Sequence, residues 1–327
     1  MPASTPHITV LGGGVIGLTT ALALEAAGLD VAVIAEHTGQ GTVSAVAGAV
    51  WFPFRASPPG LINRWARRTF EALSRTARTD PDAGVDMLTF FQCVDTDQAP
   101  WYADAIERLA IARGGYFGRS DAPSRAAMAW TFPAPRVEPA LFLPWLERRL
   151  RRPIVRGHAR SFDDLPGDLI INCTGLGARD LTGDRELQGV YGHVLVVEPG
   201  DIPMDISISD DRDPAGIFYT IPRRDTVIVG GCAEPSPDGR PLAPDPAMRE
   251  AILQRCRDHG FTPGRILAER VGLRPGRSSV RLERDPANPR VIHNYGHGGS
   301  GYTVMHGCAE DVAALALASL ERTIAPE

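Results

Sequence analysis

Residues 10–22 read V-L-G-G-G-V-I-G-L-T-T-A-L. A β-rich run at 7–11 leads into the glycines, an apolar helix-forming run at 18–27 follows them, and 31–34 is a second β-rich run. This order of strand, glycine turn, helix and strand predicts a βαβ unit. A βαβ unit requires a parallel pair of strands, so the stretch predicts an α/β fold.

The glycines of this stretch match the pattern G-x-G-x-x-G at Gly12, Gly14 and Gly17, and Glu36 follows just past the second strand. In that pattern the first glycine permits a tight turn, the second lets a pyrophosphate approach the backbone, and the third lets helix and strand pack closely. An acid about 20 residues further on can accept a hydrogen bond from a ribose hydroxyl. The spacing therefore predicts dinucleotide binding, but it leaves the choice between FAD and NAD open.

Composition excludes several classes of partner. The chain has 327 residues and a formal net charge of -5, and its basic residues are spread along the sequence. That distribution predicts neither a nucleic-acid partner nor membrane binding. The absence of a long apolar run and of a signal-peptide pattern predicts a cytoplasmic protein.

Two residue types limit the chemistry. All 34 basic residues are arginines, so a lysine Schiff base and a phosphate-gripping P-loop lysine are both excluded. The five cysteines are an odd number without a C-x-x-C pair. This pattern predicts neither a disulfide framework nor a zinc site, and we expect no metal.

The remainder of the chain does not continue the βαβ rhythm. Helices are predicted at 66–78, 100–113, 139–152, 248–259 and 307–322, and a buried strand at 168–173. Strands at 192–198, 216–221 and 226–231 are separated by turn residues and are predicted to be antiparallel. The predicted fold class is therefore α/β, a Rossmann-like nucleotide-binding domain with an inserted, mainly antiparallel β-sheet domain. The predicted bounds are 1–50, 137–190 and 280–327 for the first domain, and 51–136 and 191–279 for the second.

Several blocks of sequence occur in an order typical of one family. They are V-A-G-A-V-W at 46–51, I-I-N-C-T-G at 170–175, F-Y-T-I-P at 218–222, V-G-L-R-P at 271–275, V-R-L-E at 280–283 and V-I-H-N-Y-G-H-G-G-S-G-Y-T at 291–303. With the glycine stretch at 10–22, these blocks make the sequence resemble the D-amino acid oxidase family, which also contains the D-aspartate oxidases. The resemblance runs nearly the whole length of the chain.

The resemblance implies a non-covalently bound FAD on the first domain and a substrate site on the second. The positions that match the family's cofactor contacts are Gly13, Gly14, Val15, Ile16, Glu36, Ser44, Gly48, Ala49, Val50, Ala159, Thr174, Gly298, Gly299, Ser300, Gly301, Tyr302 and Thr303. Within this set, 298–303 matches a loop that closes over the flavin, where backbone N–H groups can stabilise negative charge.

The resemblance also implies substrate-binding residues. Arg274 and Tyr219 match the family's carboxylate-binding pair, and the Gly299 carbonyl would accept a hydrogen bond from the substrate amine. A planar guanidinium suits this task because it can bind a carboxylate with two parallel hydrogen bonds. Phe52 and Ser300 are expected to line the substrate pocket. Phe52 stands where several relatives carry a polar residue, which predicts a more apolar pocket.

The implied reaction belongs to D-amino acid catabolism. A neutral D-amino acid would lose a hydride from its α-carbon to flavin N5, and hydrolysis and reoxidation by oxygen would give a 2-oxo acid, ammonia and hydrogen peroxide. Alternatives are a D-aspartate or D-glutamate oxidase, for which Arg223 or Arg224 would have to supply a second cation, and a glycine or secondary-amine oxidase. The oligomeric state stays open, with a homodimer as one arrangement.

Other polar residues near these blocks are expected to have structural roles. His293 and His297 lie in the last block, but the implied reaction needs no imidazole, and turn histidines often bind backbone. The acidic cluster Asp210, Asp211 and Asp213 lies in a segment, 209–218, that is shorter than the mammalian lid. We expect this cluster to form a solvated face.

Overall fold

The computed structural model describes residues 7–113, 128–213, 216–236 and 243–324. The chain forms two compact units. The first unit contains Met1–Val85, Val137–Gln188 and Arg274–Glu327, and the second contains Asp86–Arg136 and Gly189–Leu273. Each unit is therefore assembled from separate stretches of the chain.

Strands and helices are numbered in chain order. The strands are β1 (His7–Gly13), β2 (Asp30–Thr38), β3 (Val85–Val94), β4 (Ala110–Arg113), β5 (Met128–Val137), β6 (Val155–Arg156), β7 (Leu169–Asn172), β8 (Gln188–Val197), β9 (Ile206–Asp210), β10 (Phe218–Pro222), β11 (Val227–Gly230), β12 (Glu234–Ser236), β13 (Ile266–Arg284) and β14 (Val291–His297). The helices are α1 (Val15–Ala26), α2 (Val43–Val46), α3 (Pro59–Thr79), α4 (Pro139–Glu147), α5 (Ala178–Thr182), α6 (Pro246–Asp258) and α7 (Gly301–Ile324).

The first unit is built on a parallel sheet with the strand order β14-β7-β1-β2-β6. Every residue of β7 is buried, as expected for a strand in a parallel sheet that is covered on both faces. Helices α1 and α7 pack on this sheet, and Leu24, Val312 and Ala316 contribute to one apolar core with Val10 and Ile171. The predicted βαβ unit is confirmed as β1–α1–β2.

The second unit contains a mostly antiparallel sheet with the order β4-β5-β3-β9-β10-β11-β8, and β12 pairs with β8. The β3–β9 pair is parallel. Helix α6 covers one face, where Ile252 and Cys256 pack against Ile208, Phe218 and Val229. Because side chains alternate across a strand, the residues between these apolar positions point to the opposite face.

These two architectures confirm the predicted fold class. The division of the chain differs for residues 51–85 and 274–279, which the sequence placed with the antiparallel domain and which lie in the first unit. Helix α3 belongs to the first unit because it packs along α7, where Trp65 Nε1 donates a hydrogen bond of 2.7 Å to Asp311. Gly307 is required at this crossing, since a Cβ there would lie 2.8 Å from the Trp65 carbonyl carbon.

The predicted helix at 100–113 was wrong. This stretch contains one short 3-10 turn at Ala103–Ala105, and it ends in β4, which pairs antiparallel with β5. Pairing with a neighbouring strand therefore outweighed the local helix propensity of its alanines. Within the described part of the chain, no helix is both long and apolar enough to cross a membrane.

Candidate functional site

The glycine turn after β1 depends on two close backbone approaches. Gly12 has φ +125°, and a Cβ there would lie 2.9 Å from the carbonyl carbon of Cys173 at the end of β7. A Cβ on Gly17 would lie 2.9 Å from the carbonyl carbon of Gly12. Both positions therefore need glycine, and the predicted close packing of helix and strand at Gly17 is confirmed.

Gly14 lies in a different environment at the start of α1. It is the N-cap residue, it has no side chain of its own to cap the helix, and the first turn contains no acid. Among the described residues, a Cβ on Gly14 would meet the Ser44 hydroxyl alone, at 3.1 Å. The helix N-terminus is thus approachable, and its N–H groups and dipole favour an anion such as a pyrophosphate.

Ser44 joins this helix start to the loop at the other end of the chain. Its Oγ accepts a hydrogen bond of 3.0 Å from the Val15 N–H, and its carbonyl accepts one of 3.0 Å from the Tyr302 hydroxyl. The structure therefore brings together three residues that the sequence assigned to the cofactor, although Ser44 and Tyr302 lie 258 positions apart.

Glu36, the predicted ribose acid, is exposed near the end of β2. It accepts a hydrogen bond of 2.9 Å from His158, and this bond lowers the pKa of the Glu36 carboxyl. Ala159 follows directly and packs half-buried against the apolar cluster that contains Leu11. Glu36 is thus an ionised acceptor next to a second predicted cofactor residue.

Thr174, the predicted cofactor residue after β7, is fixed by a side-chain hydrogen bond. Its Oγ1 donates to Asn172 Oδ1 at 2.7 Å, at the end of β7.

The backbone of the predicted cofactor segment 48–50 is strained. Ala49 has φ +50°, an unfavourable conformation for a residue with a side chain, and its carbonyl accepts a hydrogen bond of 2.8 Å from the Val137 N–H. Arg55, nearby, has φ +44°. Such backbone strain is often found at functional sites.

Two hydroxyls clamp the segment that contains Phe52. Thr303 Oγ1 accepts from the Phe52 N–H at 3.2 Å and donates to the Phe52 carbonyl at 2.9 Å. Ser300 Oγ accepts from the Phe54 N–H at 3.0 Å and donates to the Phe54 carbonyl at 2.8 Å. The hydroxyl protons of both residues are thereby used, so any hydrogen bond that Ser300 or Thr303 donates to a ligand must come from the backbone.

The loop 298–303 uses some of its own N–H groups internally. Gly298 donates to the Pro275 carbonyl, Ser300 to the His297 carbonyl, and Thr303 to the Ser300 carbonyl, each at 2.9 Å. The N–H groups of Gly299 and Gly301 are therefore the better candidates for contacts with a cofactor.

Arg274 lies beside this loop, on β13. A Cβ placed on Gly299 would be 3.8 Å from Arg274 Cδ and 3.1 Å from Phe54 Cδ1. The half-buried arginine thus runs past a glycine that leaves room beside it. The structure brings together the predicted residues Arg274, Gly299 and Ser300 in the first unit. Phe54, which the sequence analysis did not single out, joins them because its backbone is held by Ser300.

Tyr219 lies on β10 in the second unit, paired with Ser209 on β9 and Gly230 on β11. Its ring crosses the glycine pair of β11. A Cβ on Gly230 would lie 2.5 Å from the Tyr219 hydroxyl oxygen, and one on Gly231 would lie 2.9 Å from it. The sequence analysis missed this role of Gly230 and Gly231, although the G-G pair that follows T-V-I-V was a signal.

The two histidines of the last block are engaged within the protein. His293 is buried between Asp285, at 2.7 Å, and Asn172, at 3.3 Å. His297 is buried against Asn294 Oδ1 at 3.1 Å, and burial lowers its pKa to about 3. A neutral His297 with a low pKa is unsuited to general base catalysis near neutral pH, which agrees with the structural role predicted for it.

The acidic cluster differs from its prediction as a solvated face. Asp210 is buried on the α6 side of the sheet and binds His259 at 2.9 Å and Arg212 at 2.8 Å. Burial alone would raise the pKa of Asp210, but the hydrogen bonds from His259 and Arg212 hold it well below its usual range. The prediction failed because the partner His259 is 49 positions away in sequence. The described residues contain no group of His, Cys, Asp and Glu suited to a metal ion.

Comparison with known proteins places this geometry in a family. The sequence profile of the family described as FAD dependent oxidoreductase matches residues 7–315. The chain belongs to this family of FAD dependent oxidoreductases.

Named relatives cover nearly the whole chain. A D-amino-acid oxidase from Rubrobacter xylanophilus is 37% identical over 324 residues, which cover 95% of this chain and 96% of that protein. A human D-aspartate oxidase is 31% identical over 335 residues, covering 95% and 94%. The solved structure of a glycine oxidase from Bacillus cereus shares the fold, with a TM-score of 0.76, 16% identity, and coverage of 96% of this chain and 95% of that one.

The residues of this oxidoreductase fit the cofactor of its family. An FAD needs an anion site for its pyrophosphate and an acceptor for its adenosine ribose. The start of α1 at Gly14, whose first turn contains no acid, offers the first, and the exposed, ionised Glu36 offers the second. Both lie at the ends of parallel strands in the first unit, where nucleotides bind to such sheets.

Proposed function

We propose that this oxidoreductase is an FAD-dependent D-amino acid oxidase that converts neutral D-amino acids into 2-oxo acids, with release of ammonia and hydrogen peroxide. The observation that carries the proposal is the position of Arg274 against Gly299. It places a cation that can bind a carboxylate next to a backbone that can bind an amine, and an amino acid presents both groups on one carbon. The Rubrobacter xylanophilus relative, which is 37% identical to this chain, is named a D-amino-acid oxidase and supports the same conclusion.

The first unit would hold FAD, and the second would contribute Tyr219 to the substrate site. FAD, when bound, supplies the redox chemistry, because its flavin accepts two electrons from an organic substrate and returns them to oxygen. We infer that the cofactor is held without a covalent bond. Burial raises the pKa of the Cys173 thiol to about 12, so this cysteine near the glycine turn is a poor nucleophile.

The protein's part in the reaction is orientation. Arg274 would bind the substrate carboxylate with two hydrogen bonds, Tyr219 would add a third, and the Gly299 carbonyl would accept one from the amine. The carboxylate and the amine are two of the four substituents of the α-carbon, and the pocket that receives the side chain would be the third point needed to distinguish the enantiomers. The amine would donate to this carbonyl, and no side-chain base on the α-carbon is required.

A second candidate is a D-aspartate oxidase, as one relative is named. Arg223 is buried just past the end of β10, whereas Arg224 is exposed. An extended chain between Tyr219 and Arg223, four residues apart, would separate their Cα atoms by about 13 Å. This separation favours neutral substrates, because the two carboxylates of aspartate lie much closer together.

The test is a screen of purified enzyme for peroxide release with D-amino acids, with each L enantiomer as its control. Neutral D-amino acids should give peroxide, D-aspartate and D-glutamate much less, and the L forms none. Anaerobic addition of an active D-amino acid should bleach the yellow flavin. A colourless protein that requires added NAD would overturn the proposal, and the highest kcat/KM with D-aspartate would favour the second candidate.

Two sequence-based predictions stay predictions. A cytoplasmic location is testable by cell fractionation, and a homodimer by light scattering on the purified holoenzyme. Neither affects the assignment of Arg274, Tyr219 and Gly299.

A further inference from the structure

Tyr219 lies against the backbone at the end of β11. The last residue of that strand, Gly230, is its direct partner. A Cβ on the next residue, Gly231, would lie 2.9 Å from the Tyr219 hydroxyl oxygen and 3.2 Å from its Cε1. The hydroxyl therefore rests on the Gly231 backbone, and a shift of that backbone would move the hydroxyl, because closely packed groups transmit displacement.

The side chain of Arg255, on α6, holds this stretch of backbone. Its Nη1 donates a hydrogen bond of 2.7 Å to the Gly231 carbonyl and one of 2.6 Å to the Ile217 carbonyl. The Ile217 carbonyl also accepts a hydrogen bond of 3.0 Å from the Gly231 N–H. Ile217 directly precedes β10, and Gly231 directly follows β11. One guanidinium nitrogen thus joins the start of β10 to the end of β11.

The guanidinium of Arg255 also packs closely against Gly216. A Cβ on Gly216 would lie 2.6 Å from Arg255 Cζ and 2.7 Å from Nη2, in space that the guanidinium occupies. Burial lowers the pKa of the Arg255 guanidinium, and a cation withdrawn from water depends on hydrogen bonds to offset its lost hydration. Two backbone carbonyls supply such bonds, so the arginine and this backbone hold each other in place.

Arg255 acts from the face of the sheet opposite to Tyr219. Phe218 packs with Ile252 and Cys256 of α6 in one apolar core. Because side chains alternate along a strand, Tyr219, the next residue, points to the face that α6 does not cover. A substrate bound by Tyr219 would lie on that face, so Arg255 would influence it only through the backbone between them.

We propose that Arg255 is a positioning residue for substrate binding, which holds the Gly231 backbone where it supports the Tyr219 hydroxyl. This inference rests on the proposed function, in which that hydroxyl binds the substrate carboxylate. Loss of Arg255 would release the Gly231 carbonyl and misplace the hydroxyl. The carboxylate would then be bound less well in the ground state and the transition state alike, a change that raises KM and leaves kcat nearly unchanged.

Arg255→Met tests this inference in the holoenzyme, with the neutral D-amino acid that is most active in the peroxide screen. It removes both hydrogen bonds and should raise KM roughly 3- to 10-fold, with kcat and flavin content nearly unchanged. Gly216→Ala should also raise KM, because its Cβ would displace the guanidinium, and it decides if Arg255→Met does not fold. Arg257→Met is the matched control, since this exposed arginine of α6 binds Gln254. It should leave KM unchanged.

A double-mutant cycle with Tyr219→Phe separates positioning from a general structural effect. In the Tyr219→Phe background the hydroxyl is absent, so Arg255→Met or Gly216→Ala should have almost no further effect on KM. The same fold increase in both backgrounds, or an unchanged KM where Tyr219 is present, would overturn this inference alone. An unchanged KM in Tyr219→Phe itself, or absence of peroxide with every D-amino acid, would instead count against the proposed function, and this inference would fall with it.

Discussion

The ring of Tyr219 lies so close over Gly230 that a Cβ on the glycine would come within 2.5 Å of the Tyr219 hydroxyl oxygen. The two residues are direct partners on β10 and β11. A tyrosine hydroxyl can therefore be held flat above the sheet only because its partner lacks a side chain. The position of the hydroxyl is set by Gly230 as much as by Tyr219 itself.

Gly230→Ala should displace the Tyr219 ring and weaken substrate binding, because the new methyl group occupies its space. We expect kcat/KM for a neutral D-amino acid to fall roughly 10- to 100-fold, as for loss of one hydrogen bond to a charged group, with FAD retained. Steady-state kinetics measure kcat/KM, and the flavin absorbance measures how much FAD is retained. Gly60→Ala is the control, since its Cβ would meet none of the described residues within 4 Å. Normal kinetics in Gly230→Ala would mean that Tyr219 does not bind the carboxylate.

Gly14 and Gly17 should respond differently to substitution. Gly14→Val should fold but bind little FAD, because its side chain would occupy the approach to the start of α1 while meeting only the Ser44 hydroxyl nearby among the described residues. Gly17→Ala should instead lower the melting temperature, since its Cβ would strike the Gly12 backbone. Flavin content per protein and thermal unfolding separate the two effects. Stoichiometric flavin in Gly14→Val would contradict the proposed pyrophosphate site.

The sequence predicted the βαβ unit and the residues around it because the signals there are local: glycine spacing, strand propensity and a helix of apolar residues. It did not predict the clamp of Ser300 on Phe54 or the pairing of Gln92 with Ser209. These contacts join residues 246 and 117 positions apart, and their geometry depends on strand register, which local patterns do not specify. The buried Asp210 was misjudged for the same reason, since its hydrogen-bond partner His259 comes from the end of α6.

His297 should make the stability of the protein depend on pH. Burial lowers its folded-state pKa to about 3, so the folded protein keeps His297 neutral while the unfolded chain binds a proton below about pH 6.5. Stability should therefore be fully present above pH 6.5 and should fall with decreasing pH, by up to about 1.4 kcal/mol per pH unit from this residue.

Urea unfolding between pH 6.5 and 5.0 measures this effect above the range in which most carboxyl groups titrate. His297→Gln should reduce the pH dependence of the free energy of unfolding by the contribution of up to one proton, about 1.4 kcal/mol per pH unit. His37→Gln, at an exposed position, should leave that dependence unchanged. Equal slopes in the wild type and His297→Gln would show that His297 does not carry this dependence.

Arg274→Leu provides the sharpest test of the proposed site, because Arg274 has two tasks: binding the substrate carboxylate and orienting the α-carbon. Leaving a buried carboxylate without its partner costs roughly 3 to 5 kcal/mol, which corresponds to a loss of roughly two to four orders of magnitude in kcat/KM. Tyr219→Phe removes a single hydrogen bond to a charged group and should cost less, roughly 1.5 to 3 kcal/mol. Both variants should retain FAD. Arg270→Leu, an exposed arginine on the same strand, is the control. Near-normal turnover in Arg274→Leu, or a loss of activity explained entirely by loss of flavin, would show that the carboxylate binds elsewhere.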